Sequence, residues 1–212
     1  AIYKEGENIR LIHTRHEQGS AYMAYGYAKS TGKVGTCAVV PGPGLLNASA
    51  ALCTAWANYA PVLCLSGQIA STGIGKGYGD LHEINDQLGM IRHITKWADT
   101  IDPPTQTPGK IAEAFKQLST GSPRPVELEM PMDIMGMETE VDLLSAVTEY
   151  CTPPIDHDLI DQAVHLLRGA KKPMIVVGSG ALEASVEVLE IAEALQAPVM
   201  ACRSGKGVVS SE

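Results

Sequence analysis

The sequence is poor in aromatic residues, which make up 5% of the chain and include a single Phe. A core of stacked rings is thereby excluded, and interior packing falls to small and branched aliphatic side chains. Basic residues are scarce too, with 16 Lys and Arg against 24 Asp and Glu and a formal charge of −8. They form no concentrated run, so a phosphate backbone would be repelled and nucleic acid is not an expected partner. Long apolar runs are also missing: no stretch approaches the roughly 20 apolar residues of a membrane helix. Residues 1–10 lack the apolar centre of a secretory signal, and no membrane association is expected. The five cysteines are an odd number, ill suited to a disulfide scaffold. Cys37, Cys53 and Cys64 each stand in an apolar stretch, where a reduced thiol acts as a small hydrophobe, so the expected compartment is the cytoplasm.

What remains is an ordinary globular composition, 45% hydrophobic and 19% charged, over 212 residues. That length suits one large domain or two smaller ones. Residues 9–13 read as a strand, residues 17–31 as a helix with Ala21, Ala24 and Ala28 at helical spacing, and Gly32 as its stop. Residues 34–40 read as a buried strand, 41–44 as a forced turn, 45–59 as an Ala-rich helix and 62–66 as the next strand. Five glycines between positions 67 and 79 mark a long loop after a strand. A strand over 94–101, a Pro-rich loop over 102–109, a helix over 111–118 and a strand over 126–130 follow. Strands alternating with helices predict the α/β class, with a parallel sheet covered on both faces. The stretch 132–154 loses periodicity and ends in two prolines, which sets a domain boundary near residue 150. Beyond it, a helix capped by Asp156, a strand over 174–177, a helix over 185–195 and a strand over 198–201 open a second βαβ unit.

Glu17 stands where the first strand gives way to the first helix, at the edge where open α/β sheets keep their sites. The alternative role is a helix-start carboxylate favoured by the macrodipole. His13, His16 and Glu17 do not have zinc-motif spacing, and residues 70–77 lack the glycine and hydroxyl of a phosphate loop. Asp80, Glu83 and Asp86 lack calcium-loop spacing. Residues 178–183 follow a strand but carry Glu at the third glycine position of a dinucleotide fingerprint, which favours a tight strand-to-helix turn.

Six blocks occur in order: residues 15–19 (RHEQG), 26–28 (GYA), 42–47 (GPGLLN), 66–69 (SGQI), 94–97 (ITKW) and 121–131. Together they resemble the pyrimidine-binding domain of thiamine diphosphate enzymes of the acetolactate synthase branch. The resemblance runs over residues 9–212 and implies a pyrimidine-binding domain at 1–150 and the start of a Rossmann-like central domain at 151–212. It also implies that the first strand and helix of the pyrimidine domain, and the segment binding Mg²⁺ and diphosphate, lie outside these residues, so that the 212 residues alone are inactive.

On this resemblance Glu17 is the carboxylate that hydrogen-bonds N1′ of the cofactor's aminopyrimidine, with a pKa raised by burial. Pro43, Gly44 and Asn47 correspond to the turn and helix that lie against the pyrimidine. Gln68 and the Gly-rich loop correspond to positions facing the reacting substrate, a 2-keto acid or related carbonyl compound; His82 in that loop is a candidate for proton transfer, the alternative being a merely solvated loop residue. The implied activity is that of a carboligase, lyase or decarboxylase, and the alternative is a noncatalytic regulatory or assembly protein on the same fold. Gly178 and Gly180 match glycines that hold FAD in some relatives, whereas residues 202–204 depart from the segment that follows there. Two further departures touch the pocket: Val40-Pro41 where many relatives have Thr-Ser, and Leu81-His82-Glu83 where acetolactate synthases commonly have Phe-Gln-Glu. The family pattern implies a homodimer or homotetramer, for which the small faces of the two Ala-rich helices suggest close helix approach.

Overall fold

The computed structural model describes residues 6, 8–145 and 154–209. Helix α1 (Glu17–Thr31) begins after His16, whose Nδ1 accepts the Gln18 N–H, and ends at Gly32 in the left-handed conformation. Strand β1 (Gly35–Val39), helix α2 (Pro43–Ala57) and strand β2 (Val62–Gln68) follow directly. A long loop then leads to a short helix α3 (Gln87–Arg92), strand β3 (Trp97–Thr100), helix α4 (Thr107–Ser119), strand β4 (Val126–Pro131) and a single helical turn α5 (Met132–Met135). The four strands form one parallel sheet in the order β1-β2-β4-β3, so both β2 and β4 are interior.

Alternation along the strands divides the core in two. Cys37, Val62, Cys64 and Ala98 join Ala21, Ala24, Ala28, Ala48, Ala51 and Ala55 in one cluster under α1 and α2. Leu63, Val126 and Leu128 join Ala114 and Leu118 of α4 in the other. The alanines let helices and sheet close up tightly: a Cβ on Gly35 would lie 2.0 Å from the Ala24 carbonyl oxygen. The small faces of α1 and α2 are therefore consumed inside the unit, not left for a partner. What these helices expose instead is Tyr22, Met23, Tyr27 and Leu46.

Three local expectations are corrected. Residues 9–13 form no strand, and Ile9, Leu11 and Ile12 stand about half exposed, at 49%, 50% and 52%. Among the described residues no neighbouring strand offers them ladder hydrogen bonds, and β-propensity without a ladder makes no strand. The Pro-rich stretch 102–109 is largely helical, with a 3₁₀ turn at Pro104–Gln106 and Pro108 in the first turn of α4, where its missing N–H costs nothing. The strand expected from residue 94 starts only at Trp97. Before it, Lys96 is drawn aside to the end of α4, its Nζ donating to the carbonyls of Gln117 (2.7 Å), Thr120 (2.5 Å) and Ser122 (3.3 Å).

The chain divides into two compact units, Ala1–Thr152 and Pro153–Glu212. The expected boundary at residue 150 itself lies outside the described residues. The second unit holds helix α6 (His157–Arg168), strand β5 (Ile175–Val177), helix α7 (Ser185–Leu195) and strand β6 (Val199–Ala201), with β5 and β6 paired in parallel. Asp156 caps α6 by accepting the Leu159 N–H at 3.1 Å. Residues 178–183 form a short 3₁₀ turn, Ser179–Ala181, between β5 and α7. Among the described residues no helix is long and apolar enough to cross a membrane.

Candidate active site

The site forms at the carboxyl edge of the sheet, where α1 and α2 begin. Gly42 takes φ +54°, and a Cβ there would stand 2.2 Å from the His82 carbonyl oxygen, so only glycine permits both the turn and the approach of the loop. Pro43 opens α2 and is exposed, while Gly44 is buried with the position of its absent Cβ 3.6 Å from Glu17 Cγ. The Glu17 side chain therefore lies over the first turn of α2. One turn further on, Asn47 Nδ2 donates to Glu17 Oε2 at 3.0 Å.

The Glu17 carboxyl is held below its ordinary value, first by its own backbone N–H, then by Asn47 and by the charges of His16 and His82. This corrects the expected upward shift. The side chain is only partly covered, so desolvation is too weak to oppose these donors. At neutral pH Glu17 is an ionised acceptor facing the opening between two helix N-termini.

The structure thus brings Glu17, Pro43, Gly44, Asn47 and His82 to one place. It places Gln68 elsewhere: buried at the end of β2, with Oε1 accepting the Ile69 N–H at 2.8 Å and Nε2 donating to Glu129 Oε2 at 3.2 Å. The Gly-rich loop has an internal order that its composition conceals. Glu83 accepts the backbone N–H groups of Gly77 (3.0 Å), Gly79 (2.6 Å) and Asp80 (2.9 Å), and Asp133 accepts both the N–H and the hydroxyl of Ser71. Glu83→Ala removes three charge-assisted bonds, and residues 76–81 should then exchange amide hydrogen at least about tenfold faster while α1 and β2 stay protected. Unchanged exchange across the loop would show that Glu83 does not shape it.

A buried polar group behind the loop was not among the candidate residues. Glu129 accepts from Gln68 and Gln87 through Oε2 and from Thr100 through Oε1. Glu127, fully buried two positions earlier on β4, accepts the Ser66 hydroxyl at 2.6 Å through Oε1, and its Oε2 has no partner. Its pKa is pushed up to about 8, mainly by burial, with the Glu129 and Asp99 charges adding to the rise. Among the described residues no group of three or more His, Cys, Asp or Glu is placed to hold a metal ion.

Residues 1–90, which carry Glu17, Pro43, Gly44, Asn47 and His82, match the thiamine pyrophosphate enzyme N-terminal TPP binding domain, and residues 160–212 match the central domain of the same enzymes. The chain belongs to the thiamine pyrophosphate enzyme family. It is 36% identical over 205 residues to a Pseudomonas aeruginosa protein named "Probable 2-ketoarginine decarboxylase", covering 96% of this chain and 37% of that protein. It is 35% identical over 210 residues to a "Probable acetolactate synthase large subunit" of Methanococcus aeolicus (94% and 35% covered). It is 34% identical over 218 residues to the acetolactate synthase large subunit of Haemophilus influenzae (100% and 37% covered). The chain thus spans little more than a third of the length of these relatives.

The residues present fit one end of thiamine diphosphate. An oriented carboxylate for a protonated ring nitrogen stands beside a turn whose glycines allow close approach, and exposed Pro43 and Asn47 border it.

Proposed function

We propose that the full polypeptide is a thiamine diphosphate-dependent enzyme that cleaves or joins carbon–carbon bonds of a 2-keto acid. The observation that carries this reading is the Glu17–Asn47 pair at the mouth of α1 and α2. When bound, thiamine diphosphate supplies the carbon nucleophile for the keto carbonyl and the electron sink for loss of carbon dioxide. Glu17 holds the proton at N1′ of the aminopyrimidine, and Asn47 fixes the carboxylate that does so. Pro43 and Gly44 would lie against the ring. His82, whose backbone carbonyl packs on Gly42, would exchange a proton with substrate, and Gln68 lies outside this cluster, bonded to Glu129. Mg²⁺ would pair with the diphosphate through residues other than those described.

The reading also takes in the setting. Exposed Tyr22, Met23, Tyr27 and Leu46 favour a homodimer or a dimer of dimers, and sedimentation of an active monomer at micromolar concentration would remove that part. Cys37 and Cys64 are register partners on β1 and β2 yet free thiols, which favours a reducing, cytoplasmic compartment.

The test is turnover by the full polypeptide of 2-ketoarginine and a panel of short 2-keto acids, with carbon dioxide and coupled products measured. Turnover should require both thiamine diphosphate and Mg²⁺, and failure to bind the cofactor would end the reading. The 212-residue chain itself should gain at most about 1 °C in melting temperature from sub-millimolar cofactor and Mg²⁺, because it offers contacts to the ring but not to the diphosphate. A shift of several degrees would place the diphosphate contacts within these residues.

A further inference from the structure

Gln87 is the residue on which three separate chain segments converge. It is the first residue of α3 and the exit of the Gly-rich loop, and it is 2% exposed. Its Oε1 accepts the Gly42 N–H at 2.7 Å. Its Nε2 faces the Gly67 carbonyl (2.9 Å), Glu129 Oε2 (2.8 Å) and, more distantly, Ser66 Oγ (3.3 Å). Only one orientation of the amide satisfies a donor on the first side and acceptors on the other. Gly42 itself has no side chain to cap α2, and its neighbour Pro43 has no N–H, so the Gln87 bond is a polar tie of this turn to the sheet, beside the packing of Pro41 on Gly67 of β2.

We propose that Gln87 is a positioning residue that sets the β1–α2 turn, and through it the grip of Asn47 on Glu17, according to where the loop of residues 69–86 lies. The proposal deepens the functional reading above and rests on the Glu17–α2 pocket being the cofactor site. The chain of contacts is continuous. The loop exit holds Gln87, Gln87 holds the Gly42 amide, and the helix that follows Gly42 carries Asn47 to Glu17. The His82 carbonyl packed on Gly42 adds a second contact between the same loop and turn. A substrate that orders the loop would thereby fix the carboxylate geometry at the cofactor ring.

The experiment uses the full polypeptide with Gln87→Met and Gln87→Glu. Hydrogen exchange of the peptide spanning Gly42, read without cofactor, tests the link itself. Exchange should quicken about tenfold or more in Gln87→Met. Thiamine diphosphate affinity, measured with Mg²⁺ well below the melting temperature, should weaken about tenfold or more in the same variant.

Gln87→Glu supplies the readout that packing alone would not move. Its new carboxyl would face Glu129 on β4, with Glu127 behind Ser66, while His82 and Asp86 flank it from the loop. Protonated, it can accept from Gly42 and donate to Glu129; ionised, it repels Glu129. Its affinity relative to wild type should be near parity at about pH 6 and fall about tenfold by about pH 8.5, since burial beside a carboxylate raises a carboxyl pKa. A ratio flat with pH, or a quickened Gly42 amide with unchanged affinity, would overturn the proposal. Should Gln87→Met fail to fold, the Gln87→Glu profile decides alone. Absence of cofactor binding in wild type would instead overturn the functional reading, leaving the Gly42 exchange result intact.

Discussion

Glu17→Gln in the full polypeptide should slow exchange of the C2 proton of bound thiamine diphosphate by about 10²–10⁴-fold, the usual worth of general acid–base assistance. The amide keeps the size of the side chain and a partner for Asn47, whose bond at 3.0 Å needs only an oxygen acceptor. It cannot accept and share a proton at a protonated ring nitrogen. Cofactor binding should therefore weaken only modestly, and the exchange should be compared at saturating cofactor. Lys110→Ala, on α4, is the control and should remain within a few-fold of wild type. Equal exchange in Glu17→Gln and wild type would return Glu17 to the role of a helix-start carboxylate.

Glu127→Gln should stabilise the protein at alkaline pH and leave it nearly unchanged in mild acid. The folded Glu127 keeps its proton up to about 8, against an ordinary value of 4.5, because ionisation would place a charge on a buried oxygen without a partner. Between those values the folded state binds more protons than the unfolded one. Stability from this group is thus fully present below 4.5 and is lost as pH rises through about 8. The amide carries no charge to bury, so the variant's advantage should grow from about pH 5 and reach a few kcal/mol near pH 9. Unfolding midpoints of variant and parent across that range make the measurement. Parallel profiles would mean that Glu127 is ionised in the folded protein or relieved by a movement of β4.

The helices of the first unit were legible because their signals are local. Ala21, Ala24 and Ala28 repeat at helical spacing, and Gly32 and the Pro-Gly-Pro-Gly turn punctuate them. The candidate carboxylate Glu17 was legible from its place at the start of a helix in an α/β chain, although the strand expected before it does not form. Its ionisation was not, because burial depends on distant segments that no local pattern reports. The polar group behind the loop was illegible for the same cause. Glu127 and Glu129 alternate with Leu128 as a solvent-facing side would, and Glu129 is covered by Gln87, Gln68 and Thr100, which arrive from 29 to 61 residues away. The strand expected at residues 9–13 failed in the opposite sense: its composition was right, and the ladder that makes a strand lay beyond local reach.

The carboxylate of Glu83 gives the loop over the pocket an unusual degree of independence. Its three amide contacts are all to residues within six positions of itself, and the outer attachment, Ser71 to Asp133, ties the start of the loop to α5. The exposed residues Ile74, Lys76, Tyr78 and Leu81 can therefore vary in side chain while these two anchors keep the backbone path, much as a ring setting accepts different stones. For a catalyst designer this is a ready insertion cassette. On the function proposed above, libraries that randomise Ile74, Lys76, Tyr78 and Leu81, leaving Ser71, Glu83 and Asp133 untouched, would retune which carbonyl compounds enter without recutting the scaffold below.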